Sequence, residues 1–188
     1  MKTETAGIGK NERTFGKRTT RPLDTIFPVK NPFLVDTEMK QRTLGQSGIT
    51  VSEIGLGCMS MNFGYGRPSP EKDMIELIHK AVDMGVTLFD TAESYGPYIN
   101  EELVGKALDG LRDKVSIATK CGIAFAADGN LILDARAETL RKSLEGSLKR
   151  LRTDHVDIYY LHRVDPKVPV EDVAETMGKF IAEGKILG

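Results

Sequence analysis

The feature that most constrains the fold of this chain is a regular alternation of short apolar strands with amphipathic helices. Four such pairs follow one another between Ile54 and Gly184. Within the predicted helices, apolar residues recur three and four positions apart, as in Leu140, Leu144 and Leu148. Strands that alternate with helices pair in parallel, and the helices pack outside the sheet. The sequence therefore predicts an α/β fold with four βα units.

The boundaries of the predicted elements come from capping residues and apolar runs. Ser69 is the predicted N-cap of the first helix, Pro70 its first residue and Gly85 its end, and Asn100 is the predicted N-cap of the second helix. Ile186 begins what looks like a fifth strand. The four preceding strands are predicted within residues 54–57, 87–89, 115–119 and 155–161, and the apolar stripe of the first helix is Met74, Leu77, Ile78, Ala81 and Val82.

Two segments precede the alternation. Residues 42–44 and 50–52 flank a turn that contains glycine and serine, which predicts an N-terminal β-hairpin. Residues 1–40 contain three prolines, scattered charge and no sustained periodicity, so we interpret them as a poorly ordered leader. Met39 lies at the end of that leader and is an alternative start of the protein. Residues 41–188 are the predicted folded domain.

Composition argues against several classes of protein. The formal net charge of −1 gives no electrostatic basis for binding nucleic acid or an anionic membrane. No apolar run approaches the ~18–20 residues of a spanning helix, and the N-terminus has no apolar core of a secretory signal. Cys58 and Cys121 are too few for a disulfide framework or a metal site, so we interpret them as buried thiols. These features favour a reducing, cytoplasmic location.

Four residues with acid–base chemistry fall at the ends of predicted strands or directly after them. Asp90 ends the second strand, Lys120 and His162 end the third and fourth, and Tyr95 follows Asp90 by five residues. Because the carboxyl ends of parallel barrel strands meet at one rim, these side chains are expected to converge there. Taken singly, each has an ordinary alternative: a turn cap, a rim aromatic, a solvated or Schiff-base lysine, and a structural histidine.

The order and setting of these residues resemble the aldo-keto reductase family. The segments that carry the resemblance are Asp-Thr-Ala-Glu-Ser-Tyr-Gly at 90–96, Asn-Glu-Glu-Leu-Val-Gly at 100–105, Leu-Lys-Arg-Leu at 148–151 and Tyr-Leu-His-Arg at 160–163. The resemblance runs from about Arg42 to the C-terminus. It implies a (β/α)8 barrel of the TIM type, which usually needs about 250 residues. We therefore expect a barrel truncated to its N-terminal half.

The resemblance implies an enzyme that reduces aldehydes or ketones, or oxidises the corresponding alcohols, with a nicotinamide cofactor, and it favours NADPH. It implies that Tyr95 donates the proton, Lys120 stabilises the resulting phenolate, Asp90 holds Lys120, and His162 orients the carbonyl oxygen. The physical chemistry agrees with these roles. A free phenol, with a pKa of ~10, is a poor acid at neutral pH, and a nearby ammonium stabilises its anion.

The resemblance also implies that the loop after the first strand lies near the nicotinamide. Asp90, Met59 and Ser60 are the expected cofactor contacts. The glycines at 55 and 57 come close to a Rossmann motif, but the next helix begins near Ser69 and not directly after them, so we reject that mode of binding. In the family, the loops that grip the dinucleotide phosphates follow later strands. We expect the 188-residue chain to be inactive on its own.

Three alternatives stay open. The first is a non-catalytic binding module, because the potassium-channel β subunits share this fold and these four residues. The second is a non-functional fragment. The third is a lysine-dependent barrel aldolase, against which the family-like setting of Tyr95 speaks. For the reductase, the expected partner is a small-molecule carbonyl substrate, and the exposed edges and apolar faces of a half barrel predict self-association.

Overall fold

The computed structural model describes residues 39–64, 66–126 and 128–188. The predicted leader at residues 1–40 therefore lies almost wholly outside the described residues. In chain order, the helices and strands are β1 (Gln41–Thr43), β2 (Thr50–Ser52), β3 (Gly55–Gly57), α1 (Glu71–Asp83), β4 (Leu88–Asp90), α2 (Ile99–Ala107), β5 (Ser116–Cys121), β6 (Ile123–Phe125), β7 (Leu131–Leu133), α3 (Ala137–Leu151), β8 (Ile158–Leu161) and α4 (Val170–Ala182).

The centre of the fold is a parallel sheet in the order β3-β4-β5-β8, and β1 and β2 form a separate antiparallel hairpin. A helix follows each strand of the sheet, with the β6–β7 hairpin inserted before α3, and successive helices pack side by side. Ile186 makes a parallel bridge with Val156, at the place where the sequence predicts a fifth strand. A parallel strand that leads to an outer helix is the unit that a (β/α)8 barrel repeats eight times, and the described residues contain four such units.

The core lies between this sheet and the helices. Its apolar side chains come from both layers, which is what the strand and helix periodicities predict. The largest fully buried members include Phe89 and Ile117 from the strands and Ile78, Leu140, Leu144 and Phe180 from the helices. Over the described ranges, none of the helices has the length and apolarity needed to cross a membrane.

Helix α1 differs in detail from its prediction. Pro70, with an extended ψ of 135°, is the N-cap, so the helix begins one residue later than Ser69 and Pro70 predict. Ile78 is fully buried as expected, but Leu77 is 40% exposed. Met74, Ala81 and Val82 also pack against the core as expected, so the buried face differs from the predicted one only in that Ile75 takes the place of Leu77.

The start of α2 corrects a second prediction. Tyr98, in the left-handed conformation with φ 71°, is the N-cap, and Asn100 lies inside the first turn. Asn100 is completely buried, and its side chain bonds to neighbouring loops instead of capping the helix. The prediction that Asn100 is the N-cap is therefore wrong, because its side-chain amide forms hydrogen bonds with residues distant in sequence.

The antiparallel hairpin formed by β6 and β7 was not predicted. Its strands have three residues each, too few to show a period-two pattern in the sequence. It lies in the connection between β5 and α3, on the carboxyl side of the strand that carries Lys120.

Candidate active site

The structure brings the four predicted acid–base residues together at the carboxyl end of the sheet. Asp90 is the last residue of β4, Lys120 is next to last in β5, and His162 directly follows β8. Tyr95 lies in the loop between β4 and α2. Parallel pairing of Asp90 with Ala118 sets the relative heights of β4 and β5, so the strand ends meet at one level.

Lys120 is the hub of the site. Its Nζ donates to Asp90 Oδ1 at 2.5 Å, to the Thr91 carbonyl oxygen at 2.7 Å and to the Tyr95 hydroxyl at 3.1 Å. An ammonium has three N–H donors, and all three have a partner here. The side chain is only 14% exposed. Lys120 is thus a fixed, buried charge and not a solvated loop lysine.

The Tyr95 side chain is held on several sides. The residue is 9% exposed, and its hydroxyl is the third partner of Lys120. The Phe63 ring stacks near it, with centroids 6.5 Å apart. The His162 ring meets it edge-on, with centroids 5.7 Å apart. The phenol and the imidazole therefore line the same small region.

His162 is held as a neutral imidazole at physiological pH. Burial, together with the charges of Lys120 and Arg163, lowers the pKa of His162 from 6.5, against the opposing effect of Asp90. Its Nδ1 lies 3.3 Å from the Ser94 hydroxyl oxygen. When that hydroxyl donates to Nδ1, the ring proton is on Nε2, which has no hydrogen-bond partner among the described residues. A neutral imidazole in this state can donate to an oxygen in front of it.

Asn100 is a structural organiser of the site that the sequence reasoning missed. Its Nδ2 donates to the Cys58 carbonyl oxygen and to Asn62 Oδ1, both at 2.8 Å. Its Oδ1 accepts the Thr91 hydroxyl at 2.6 Å. The side chain thereby ties the loop after β3 to the end of β4. In the sequence, Asn100 stands at a predicted helix start and within the family-like segment 100–105, and neither feature indicates these partners, since capping explains an asparagine at a helix start equally well.

Met59 and Ser60, the predicted cofactor contacts besides Asp90, lie in a 3-10 turn directly after β3. The Cys58 amide donates to the Asp90 carbonyl oxygen at 2.8 Å, which places this turn beside the ion pair. Ser60 is exposed and Met59 is half-buried. A hydroxyl and a flexible thioether suit the amide and flat ring of a nicotinamide, whereas phosphates need cationic or backbone N–H donors.

A buried charge cluster lies behind the site. Arg150 Nε donates to Glu101 Oε2 at 2.6 Å, and Thr119 donates to Glu101 Oε1 at 2.5 Å. Glu93 Oε2 is 4.0 Å from Arg150 Nη2. Burial, together with the charge of Glu101, raises the pKa of Glu93 to about 7 despite the Ser143 hydrogen bond and the charge of Arg150. No local pattern of the sequence indicates that these helix and loop residues meet.

Both cysteines are buried thiols, as predicted. Burial raises the pKa of Cys58 and of Cys121 to about 12, so neither is a thiolate at neutral pH. Within residues 39–64, 66–126 and 128–188, no group of histidine, cysteine and carboxylate side chains is arranged to hold a metal ion.

Comparison with known proteins gives one consistent family. The family model described as the aldo/keto reductase family matches residues 53–188. A probable aldo-keto reductase 1 of Glycine max is 41% identical over 154 residues, which are 81% of this chain but 44% of the soybean protein. The chain thus spans less than half the length of that relative.

Two solved structures are similar to the described fold. An aldo-keto reductase from Bacillus halodurans, in its holo form, has a TM-score of 0.73 and 33% identity over 79% of this chain and 48% of its own. A glycerol dehydrogenase from Gluconobacter oxydans has a TM-score of 0.67 and 33% identity over 74% of this chain and 44% of its own.

Proposed function

This chain belongs to the aldo-keto reductase family, and on that premise we propose that its site reduces the carbonyl group of aldehydes or ketones with NADPH. The described residues form part of a TIM-type (β/α)8 barrel, like the similar solved structures. The activity belongs to a form of the protein in which the barrel is complete, called the complete-barrel enzyme below.

The observation that carries the proposal is the set of contacts made by Lys120. The same ammonium touches the Asp90 carboxylate and the Tyr95 hydroxyl. Loss of a proton from Tyr95 would leave a largely buried phenolate beside a fixed positive charge, and that charge stabilises the anion. Asp90 and the Thr91 carbonyl oxygen hold the Lys120 side chain in place. The phenol is thereby set up to give its proton to a developing alkoxide.

When bound, reduced nicotinamide supplies the hydride that converts the carbonyl carbon into an alcohol carbon. Tyr95 transfers its proton to the former carbonyl oxygen, which completes the alcohol. His162 donates a hydrogen bond from Nε2 to the same oxygen and orients the carbonyl. The edge-on packing of the Tyr95 and His162 rings supports two donors that converge on one atom. We assign Asp90, Met59 and Ser60 to the nicotinamide end of the cofactor.

The contacts of Lys120 argue against the aldolase alternative. A Schiff-base lysine attacks as a neutral amine, which requires a free lone pair on Nζ. Here three acceptors surround Nζ, one of them a carboxylate at 2.5 Å. An ammonium can donate one N–H to each of these three acceptors. This environment suits the support of a phenolate and opposes nucleophilic attack.

We also propose a cytoplasmic location and self-association of the isolated 188-residue polypeptide. In the described sheet, β3 has a strand neighbour on one side only. Ile54 is 60% exposed, Tyr160 46% and Leu187 47%. Unpaired strand edges and exposed apolar side chains of this kind promote association between chains.

The test measures transfer of a deuterium label from NADPH to the alcohol product. The complete-barrel enzyme is supplied with NADPH carrying deuterium at C4 of the nicotinamide and with a panel of reactive aldehydes. We expect deuterium at the alcohol carbon, from one face of the nicotinamide only. Tight NADPH binding with no deuterated alcohol from any carbonyl would reject the reductase and leave the binding module.

A further inference from the structure

Arg150 lies on α3, outside the sheet, yet it contacts both ends of the segment that carries Tyr95 (residues 93–98, the Tyr95 segment). At the first end, Nη2 is 4.0 Å from Glu93 Oε2. At the second end, the guanidinium carbon lies 4.5 Å from the centroid of the Tyr98 ring. The Arg150 side chain is 16% exposed and that of Glu93 8%, so this contact is shielded from water, whereas Tyr98 is 50% exposed.

A third contact of Arg150 leads to the strand that carries Lys120. Its Nε donates to Glu101, whose other carboxylate oxygen accepts the Thr119 hydroxyl. Thr119 immediately precedes Lys120 in β5, and Glu101 is completely buried. One guanidinium is therefore connected to both partners of the hydrogen bond between Lys120 and Tyr95.

The two ends of the Tyr95 segment are joined by a backbone hydrogen bond, so the position of the ends determines the position of the residues between them. The Tyr98 amide donates to the Glu93 carbonyl oxygen at 2.8 Å, which closes the segment into a loop. Ser94 and Tyr95 lie inside that loop, and the Ser94 hydroxyl contacts His162. A shift of either end moves the phenol and the hydroxyl together.

The backbone of Arg150 is held in place by close packing of α3 against α2. A Cβ atom added to Gly105 would lie 2.4 Å from the Arg150 carbonyl oxygen, so α2 and α3 meet backbone to backbone at this point. Only glycine permits this approach. The starting point of the Arg150 side chain is consequently fixed relative to α2, the helix that follows the Tyr95 segment.

We propose that Arg150 is a positioning residue for carbonyl reduction, which clamps the Tyr95 segment at both ends and keeps the phenol at bonding distance from Lys120. The proposal rests on the proposed role of Tyr95 as proton donor. Arg150 touches neither of the reacting groups. Its effect on the reaction passes through Glu93, Tyr98 and Glu101.

The charge state of Glu93 gives this clamp a pH-dependent signature. With Glu93 protonated, the guanidinium balances the charge of Glu101, and loss of the Glu93 proton near pH 7 adds a second negative charge that the guanidinium offsets only in part. Besides Arg150 and Glu101, two charged side chains, Asp134 and Lys142, line the groove beside Glu93.

Two further titratable side chains, Cys121 in β5 and Tyr159 in β8, interact electrostatically with Glu93. Burial raises the pKa of both groups, so they stay neutral over the same range. The charge of the cluster near pH 7 therefore changes through Glu93. We expect the Tyr95 segment to loosen above that pH.

The test compares Arg150→Met, Arg150→Lys and Lys149→Met in the complete-barrel enzyme. Lys149 is the exposed neighbour of Arg150 on the same helix and serves as the matched control. We expect Arg150→Met to lower kcat by about 10²-fold, the typical cost of misplacing a reacting group by about 1 Å, with NADPH affinity nearly unchanged. Arg150→Lys should recover part of kcat, because a lysine restores a positive charge beside Glu101 but does not restore the stacking of a planar guanidinium on Tyr98.

Two further readouts separate positioning from a general structural role. Amide hydrogen exchange at residues 93–98 should accelerate in Arg150→Met and not in Lys149→Met. We expect kcat of the wild type to fall above about pH 7 and Glu93→Gln to remove this fall, and this variant also carries the test if Arg150→Met fails to fold. A wild type without reductase activity would reject the proposed function, whereas exchange at 93–98 still reports on the clamp. Equal kcat in Arg150→Met and Lys149→Met, or unchanged exchange, would overturn the proposal.

Discussion

Replacement of Glu93 by glutamine should stabilise the protein at alkaline pH and leave it unchanged in acid. Glu93 is 6% exposed and shares one guanidinium with Glu101. Burial, together with the charge of Glu101, raises the pKa of Glu93 in the folded state from 4.5 to about 7. Glutamine keeps the shape and one hydrogen-bond acceptor but has no charge to release.

The sign follows from proton linkage. Below pH 4.5, Glu93 is protonated in both the folded and the unfolded state, so its ionisation contributes nothing. Between pH 4.5 and about 7, the unfolded chain has released the proton while the folded chain retains it, and the free energy of unfolding falls as pH rises. Above about pH 7 the full cost is present. The difference between the two pKa values corresponds to about 3 kcal/mol, at 1.36 kcal/mol per pKa unit.

The assay is urea unfolding of the wild type and of Glu93→Gln in the complete-barrel enzyme, at pH values from 4.5 to 8.5. The gain in unfolding free energy should be near zero at the acid end and reach about 2–3 kcal/mol at pH 8. Glu102→Gln, on the exposed face of α2, is the control and should show no such trend. A gain for Glu93→Gln that is constant with pH, or a loss that grows toward pH 8, would refute the burial argument.

The remaining predictions concern the acid–base residues and the isolated polypeptide. Lys120→Met should abolish reduction near neutral pH, and Asp90→Asn should remove much of it. The double variant should be scarcely less active than the worse single variant, because the two residues act as a unit. Fully additive losses in a double-mutant cycle would contradict this pairing. Because the pKa of His162 lies below 6.5, the midpoint of any loss of kcat/KM that depends on His162 should lie below pH 6.5, and a midpoint at pH 7 or above would contradict the neutral imidazole. The isolated 188-residue polypeptide should show no saturable NADPH binding in a fluorescence titration and should be associated in light scattering; a monodisperse monomer that binds NADPH at micromolar affinity would disprove this.

The residues that the sequence placed correctly are those with local signals. Asp90, Lys120 and His162 each stand at the end of an apolar run, and parallel pairing brings such ends to one rim. The register of the parallel strands is enough to bring Asp90 and His162 to the same rim as Lys120. Tyr95 follows Asp90 within one short loop, so it has little room to lie elsewhere. The catalytic role of each residue is a separate prediction that activity measurements decide.

The features that the sequence did not reveal depend on distant partners. Asn100 looks like a helix cap until the loop that contains Cys58 and Asn62 comes within reach of its amide. Leu77 and Ile75 fit almost equally well on the buried side of α1, and only the packing of α1 on the sheet chooses between them. Neither choice can be read from spacing, because both are settled by contacts across the fold.

The most direct test of the account is Tyr95→Phe in the complete-barrel enzyme. This change keeps the ring that packs against Phe63 and His162 and removes the hydroxyl next to Lys120. Loss of proton transfer costs about 10²–10⁴-fold, and misplacement of the carbonyl adds to that. Steady-state kinetics with a reactive aldehyde should therefore show turnover reduced by several orders of magnitude, with the dissociation constant of NADPH little changed. Near-wild-type turnover in Tyr95→Phe would contradict the assignment of Tyr95 as the proton donor.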